Sequence, residues 1–459
     1  VNTGEILAMA SVPTYDLNNV RDPQALLGSM MVEKVDTANG YYEIKKNGTV
    51  IDQTVLDAMS EDDLYLNLNN LWKNYCITGT YEPGSVAKPF TVAMALEKGD
   101  ITPNSTFECS GYMEIGGYKI RCHNGAEGTM TLEKAVAKSC NVTMMKIAQL
   151  VGADDFCEYQ RVFNFGLKTN VDLAGEARTA SLVYSADQMG PTDLATNSFG
   201  QNFNVTMIQM ITAFSSLING GYYYEPHLVS KITNASGATV ENIEPRILKQ
   251  TVSEETSAYI RQYCNAVVTE GTGKTARPAG YLIGGKTGTA ETIDQNTHKR
   301  SKDEHVVSFM GYAPADNPQI AIYVVVDRPN VSHQGDAKHA TRLVRSILTE
   351  VLPYLNIFMT EELSDTEREE LAALNLEITT QYGQQNPDTT PEEGDGETQP
   401  GQPAEGEEQP AWMSYPIDPV TGYRVDPETG YKYDAQEGFL VEGDENVMGE
   451  DGPVNPNIN

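Results

Sequence analysis

Ser85 and Lys88 stand three residues apart, after a Pro83-Gly84 turn signal and before an apolar run of Phe90, Val92, Ala93, Ala95 and Leu96. The periodicity of that run predicts a helix beginning at or near Ser85. Both side chains would then share one face, a turn apart. A serine hydroxyl attacks a carbonyl poorly until a neighbouring base takes its proton. A lysine amine becomes such a base once burial or a second cation lowers its pKa. The pair could therefore carry out acyl transfer through a serine ester. Alone it decides nothing, because this spacing occurs on many helices by chance.

Two further short peptides supply partners. Ser139-Cys140-Asn141 falls between two apolar-periodic segments, one carrying Leu132, Ala135 and Val136 and the other Val142, Met145, Ile147, Ala148, Leu150 and Val151. Thr131 is placed to cap the first. A helix-to-helix junction there would turn Ser139 and Asn141 into a cleft, although in isolation they read as helix caps. Lys286-Thr287-Gly288-Thr289 lies in a predicted strand, 281–290, whose small residues let a ligand or another backbone approach closely. Segments 306–314 and 320–327 predict two further strands, antiparallel neighbours of the first. Ala340 to Leu355 predicts an amphipathic helix to cover them (Leu343, Val344, Ile347, Leu348, Val351).

In this order, S-x-x-K, S-x-N and K-T-G resemble the motif set of penicillin-binding proteins and class A β-lactamases. The flanks, Tyr81-Glu82-Pro83-Gly84-Ser85 and Gly285-Lys286-Thr287-Gly288-Thr289-Ala290, resemble the transpeptidase domain of class B penicillin-binding proteins more closely. So do Thr3-Gly4-Glu5-Ile6-Leu7-Ala8-Met9, Leu173-Ala174-Gly175-Glu176 and the 267–273 segment ending in Gly271-Thr272-Gly273. That last segment lacks the spacing of a phosphate loop. The resemblance covers most of residues 1–355. It implies an α+β fold, an antiparallel sheet covered by helices plus an all-helical subdomain, with the cleft between sheet edge and helices.

The resemblance also implies a peptidoglycan D,D-transpeptidase that β-lactams acylate. Ser85 would attack the penultimate D-Ala of a D-Ala-D-Ala stem peptide with Lys88 as base. Ser139 and Lys286 would return a proton to the leaving amine. Asn141 would hold Lys88 and the substrate amide, and Thr287, Gly288 and Thr289 would bind the terminal carboxylate. Backbone N–H groups of Ser85 and Thr289 would form the oxyanion site. No cofactor is expected. Action would be on the outer face of a bacterial membrane, beside a glycosyltransferase partner, through an N-terminal anchor that precedes Val1. The competing readings are a β-lactamase, a β-lactam sensor, a carboxypeptidase and a scaffold with a vestigial site.

The chain has 459 residues, 40% hydrophobic, and a formal net charge of −32. That length suffices for one large domain or two smaller ones with proper cores. The acidic excess is concentrated after residue 360, and no basic face points to nucleic acid. No apolar run is long enough to span a membrane. The six histidines are scattered, no cysteine pair has metal-ligand spacing, and no metal is expected. Cys109 and Cys122 flank a predicted β-hairpin turning at Gly116-Gly117, which suggests a disulfide across it. Residues 1–360 read as the transpeptidase domain, with 30–65, polar and turning at Asn47-Gly48, as an insertion. Residues 361–411 read as an acidic linker rich in Pro, Gly and Glu. In the tail, 412–459, three eight-residue units begin at Asp418, Asp426 and Asp434, each with Gly fifth and an aromatic sixth. They predict a turn-strand repeat.

Overall fold

Strands Gly284–Ile293, Arg300–Ala313 and Ile320–Asp327 pair antiparallel in that order, which leaves the Lys286 strand at an edge. Alternation along the middle strand sorts the two cores, because successive side chains of a strand face opposite ways. Met310 and Tyr312 turn toward a large helical core that includes Phe90, Met144, Phe214 and Ile260. Phe309 and Ala313 turn the other way, onto Ala340, Val344, Leu348 and Leu352 of helix Lys338–Tyr354. Each buried Val or Leu contributes roughly 1.5–3 kcal/mol by leaving water, so these contacts fix the helix against the sheet. This is the α+β arrangement expected from the sequence. The computed structural model describes residues 1–36, 42–293 and 299–373, with strand segments at 424–425, 432–433 and 440–442.

The helices that carry the site start where their caps dictate. Thr131 accepts from the Lys134 N–H and begins Leu132–Ala137. Cys140, rather than Ser139 or Asn141, caps Asn141–Val151 through its sulfur. Thr206 and Gln209 form a reciprocal capping box on Met207–Ile218.

Four expectations need correction. Asn47-Gly48 is not a hairpin turn but lies inside strand Tyr42–Val50, which pairs with Met30–Asp36. Its register shifts between Met30 and Val32, and Gly48, at φ +83, takes up the irregularity. The connection at 37–41 lies outside the described residues. The described residues of 30–65, whose polarity suggests irregular structure, include this strand pair and helix Gln53–Asp57, and Ile51 and Leu56 pack with Leu26 and Leu68 in a small core. Near the N-terminus, where Thr3-Gly4 predicts a turn and the apolar residues after it a short strand ended by Pro13, the described residues form one bridge, Glu5 with His227. Residues 361–373 do not begin a linker: helix Asp365–Ala373 buries Leu371 in the sheet-helix core, and Arg277 pairs with Glu361. The acidic stretch 374–411 lies outside the described residues.

The chain divides into two compact units, 1–386 and 387–459. In the second, Arg424–Val425, Lys432–Tyr433 and Leu440–Glu442 form an antiparallel three-stranded meander. Each strand includes the seventh and eighth positions of its repeat, so the sequence period is also the strand period. Among the described residues no helix is long and apolar enough to cross a membrane.

Candidate active site

Ser85 sits on a single 3-10 turn, Gly84–Ala87, and the α-helix proper begins at Lys88. Side chains three apart on such a turn are nearly eclipsed, so Ser85 and Lys88 align along one edge. Gly84 has φ +61, and a Cβ there would lie 2.6 Å from the Thr289 carbonyl oxygen. Opposite it, a Cβ on Gly288 would lie 3.1 Å from Val86 Cγ1 and 3.2 Å from the Pro83 oxygen. Glycine on both sides lets the serine turn press directly against the strand edge.

Ser139 joins the two from a third direction. Its backbone is left-handed, φ 57, a conformation that costs a non-glycine residue energy and concentrates at functional sites. Lys88 Nζ donates to the Ser139 carbonyl at 2.6 Å and contacts its Oγ at 2.9 Å. Lys286 Nζ reaches the same Oγ at 3.0 Å. Both lysines are fully buried, and burial disfavours their charge. It brings Lys88 down to about 8. Lys286 falls well below its ordinary value, by burial first and then by the neighbouring Lys88 charge. Ser85 is half-buried, and its hydroxyl bonds to no described residue.

Asn141 departs from its expected place. Its side-chain amide donates to the Arg121 carbonyl at 3.1 Å, and Lys88 is held by Ser139 instead. The reason is local: Asn141 opens its helix and faces the hairpin end, while the left-handed turn aims the Ser139 carbonyl at the amine. Thr287 Oγ1 bonds to Thr272 Oγ1 at 2.6 Å and accepts from Lys286 at 3.3 Å. Thr289 Oγ1 donates to the Gly335 carbonyl at 3.4 Å.

The three peptides thus meet, two through Ser139 and two through the Gly84–Thr289 approach, in a chain whose residues 1–349 match the family described as the penicillin binding protein transpeptidase domain. The chain belongs to this family. Stage V sporulation protein D of Bacillus subtilis is 37% identical over 288 residues, 62% of this chain and 44% of that protein. The chain therefore spans less than half the length of that relative. The probable peptidoglycan D,D-transpeptidase PenA of Neisseria flavescens is 24% identical over 370 residues, 78% of this chain and 87% of that protein. Among solved structures, penicillin-binding protein 3 of Mycobacterium tuberculosis complexed with aztreonam aligns with TM-score 0.58 and 26% identity. That alignment covers 75% of this chain and 78% of the other.

Two contributors to the candidate site were not singled out from the sequence. Thr272, whose N–H donates to the Ala137 carbonyl at 3.3 Å, ties the end of helix Leu132–Ala137, just before Ser139, to the Lys286 strand. Its Gly-Thr-Gly setting was a signal, matched to the family and rejected as a phosphate loop but given no role at the site. Arg300 carried no local signal at all. It grips Glu82 with two nitrogens, at 2.7 and 3.0 Å, and donates to Asn202 Oδ1 at 2.8 Å. Asn202 N in turn donates to Glu82 at 3.0 Å. This clamp anchors the residue that opens the Pro83-Gly84-Ser85 turn. Arg300→Met is expected to destabilise the domain by about 2 kcal/mol in urea unfolding, since it strips a nearly buried carboxylate of its charged partner. The double variant with Glu82→Gln should lose less than the two single losses combined; strict additivity would contradict the clamp.

The Cys109–Cys122 disulfide expected from sequence is not formed, and both are free thiols. The hairpin is as expected, Tyr112–Ile115 with Tyr118–Arg121, but Cys122 turns to Cys140, 3.7 Å away. Their contact holds the Cys122 thiol well below its usual range and pushes that of Cys140 up.

Proposed function

We propose that this domain carries out the acyl-transfer step of a peptidoglycan D,D-transpeptidase and is acylated by β-lactams at Ser85. One observation supports this above the others: two buried lysines share the Ser139 hydroxyl beside a serine turn pressed on the strand edge. Lys88, neutral for a useful fraction of the time near neutral pH, takes the Ser85 proton as Oγ bonds to the penultimate D-Ala carbonyl. The oxyanion forms between the Ser85 and Thr289 N–H groups, a kind of stabilisation that typically contributes on the order of 10²–10³ in rate. The C–N bond breaks, and a proton returned through Ser139 and Lys286 lets D-Ala leave as a neutral amine. A second stem amine then attacks the ester. Thr287, Gly288 and Thr289 receive the substrate carboxylate, with Lys286 as its counter-charge. Asn141 is assigned to the substrate amide.

The relatives' printed names and the aztreonam complex support this reading. Family membership alone supports placing the domain outside the cytoplasm, membrane-anchored and beside a glycosyltransferase. A β-lactamase of the class A kind would need a further carboxylate to activate water. Glu176 is unsuited to that task, because its oxygens already accept from Thr169 N, Thr169 Oγ1 and Asn170 N at 2.6, 2.8 and 3.1 Å. The deciding experiment is single-turnover acylation by a fluorescent penicillin, followed by its release. A long-lived adduct is expected. Release at many turnovers per second would mean a β-lactamase, and no adduct would end the enzyme reading.

A further inference from the structure

Cys109, Cys122 and Cys140 arrive from three separate elements: the end of strand Thr106–Cys109, the exit of the hairpin, and the junction beside Ser139. All three are buried, and their sulfur atoms lie within 4.8 Å of one another. A buried free cysteine is ordinary core filling; three from separate elements with their sulfurs gathered together also make a ligand set.

The spacing suits metal coordination. Zinc bonds thiolate sulfur at about 2.3 Å, so two sulfurs on a tetrahedral ion stand roughly 3.8 Å apart. Cys122 and Cys140 are already 3.7 Å apart. Donors also aim at these sulfurs, as they do around metal-bound thiolates. The Asn141 N–H points at Cys122 Sγ from 3.3 Å. The Thr143 N–H and hydroxyl point at Cys140 Sγ from 3.4 and 3.3 Å. Among the described residues no carboxylate or imidazole completes the set.

We propose that Cys109, Cys122 and Cys140 form a three-thiolate site for a thiophilic ion of the zinc class, with a fourth position open. Binding replaces three S–H bonds by three metal–sulfur bonds and releases three protons to water. No electron is transferred and no co-reactant is needed. The site is distinct from the acyl-transfer chemistry and does not depend on it.

The test uses the full chain, reduced and kept without oxygen, titrated with Cd²⁺ and followed by the thiolate-to-cadmium ultraviolet band. One ion per chain is expected, displaced by Zn²⁺. Cys109→Ser, Cys122→Ser and Cys140→Ser should each weaken binding by roughly tenfold or more. Cys76→Ser, Cys157→Ser and Cys264→Ser should leave it unchanged. Zn²⁺ should also raise the thermal midpoint of the wild type, as any ligand of the native state does, and lose that effect in each of the first three variants. Cys109→Ala guards against a fault specific to serine. A wild type without the band, equal losses in the control variants, or a Cys122–Cys140 disulfide that Zn²⁺ does not prevent would each overturn the proposal. Cu⁺ is run as a parallel arm; binding of Cu⁺ with no binding of Zn²⁺ or Cd²⁺ would overturn the zinc-class assignment.

Discussion

Ser85→Ala is expected to abolish the covalent adduct with penicillin while leaving the fold as stable as before. Both halves follow from the same observation. The Ser85 hydroxyl bonds to no described residue and is half-buried at the cleft, so its removal strands no partner. Substitutions of that kind change stability by about 0.5 kcal/mol or less. The chemistry has no such tolerance. No other described hydroxyl rides on the turn that Gly84 and Gly288 press against the Thr289 carbonyl, and without an ester oxygen there is no adduct to trap. Intact-protein mass spectrometry before and after penicillin reads the first half, and thermal unfolding the second. An adduct on the alanine variant would show that another nucleophile is acylated. A large fall in midpoint would show that the hydroxyl holds the turn together.

What could be read from the sequence divides by the range of the interaction. Strand Ile320–Asp327 and helix Lys338–Tyr354 were legible because a continuous β-branched run and helical periodicity are properties of neighbouring residues. Thr131 was legible as a cap for the same reason. The contacts that shape the site span much longer separations. Lys88 finds Ser139 across 51 residues and Arg300 finds Glu82 across 218, and neither pairing has a local pattern. The family resemblance supplied the list of site residues but misassigned the holder of Lys88. That holder is a backbone carbonyl, aimed by a left-handed serine that no composition rule anticipates. The thiol cluster was hidden likewise. Cys122 and Cys140 are 18 residues apart in the chain, so attention fell on the nearer Cys109 and a hairpin that does exist.

Lys88→Met is expected to slow acylation by a factor on the order of 10²–10⁴, the range a positioned general base supplies, and to remove its dependence on pH. In the wild type the amine is fully buried, and that burial brings its pKa down to about 8. The base is the neutral form, which dominates above the pKa. The rate should therefore climb about tenfold per pH unit below 8 and level off above it. An unperturbed lysine would still be climbing near pH 10. Lys286 refines the expectation. Burial and the Lys88 charge both press it toward neutrality, yet an arriving carboxylate favours its charged form. A charged Lys286, 3.0 Å from the same Ser139 oxygen that Lys88 contacts at 2.9 Å, disfavours a second charge on Lys88. In the proposed mechanism, an anionic acyl donor would thus favour the neutral Lys88 that takes the proton of the attacking Ser85. The pH midpoint for acylation by a penicillin should accordingly lie below that for its carboxamide analogue. A rate flat from pH 6 to 9 in the wild type, or one that survives in Lys88→Met, would remove Lys88 from the role of base.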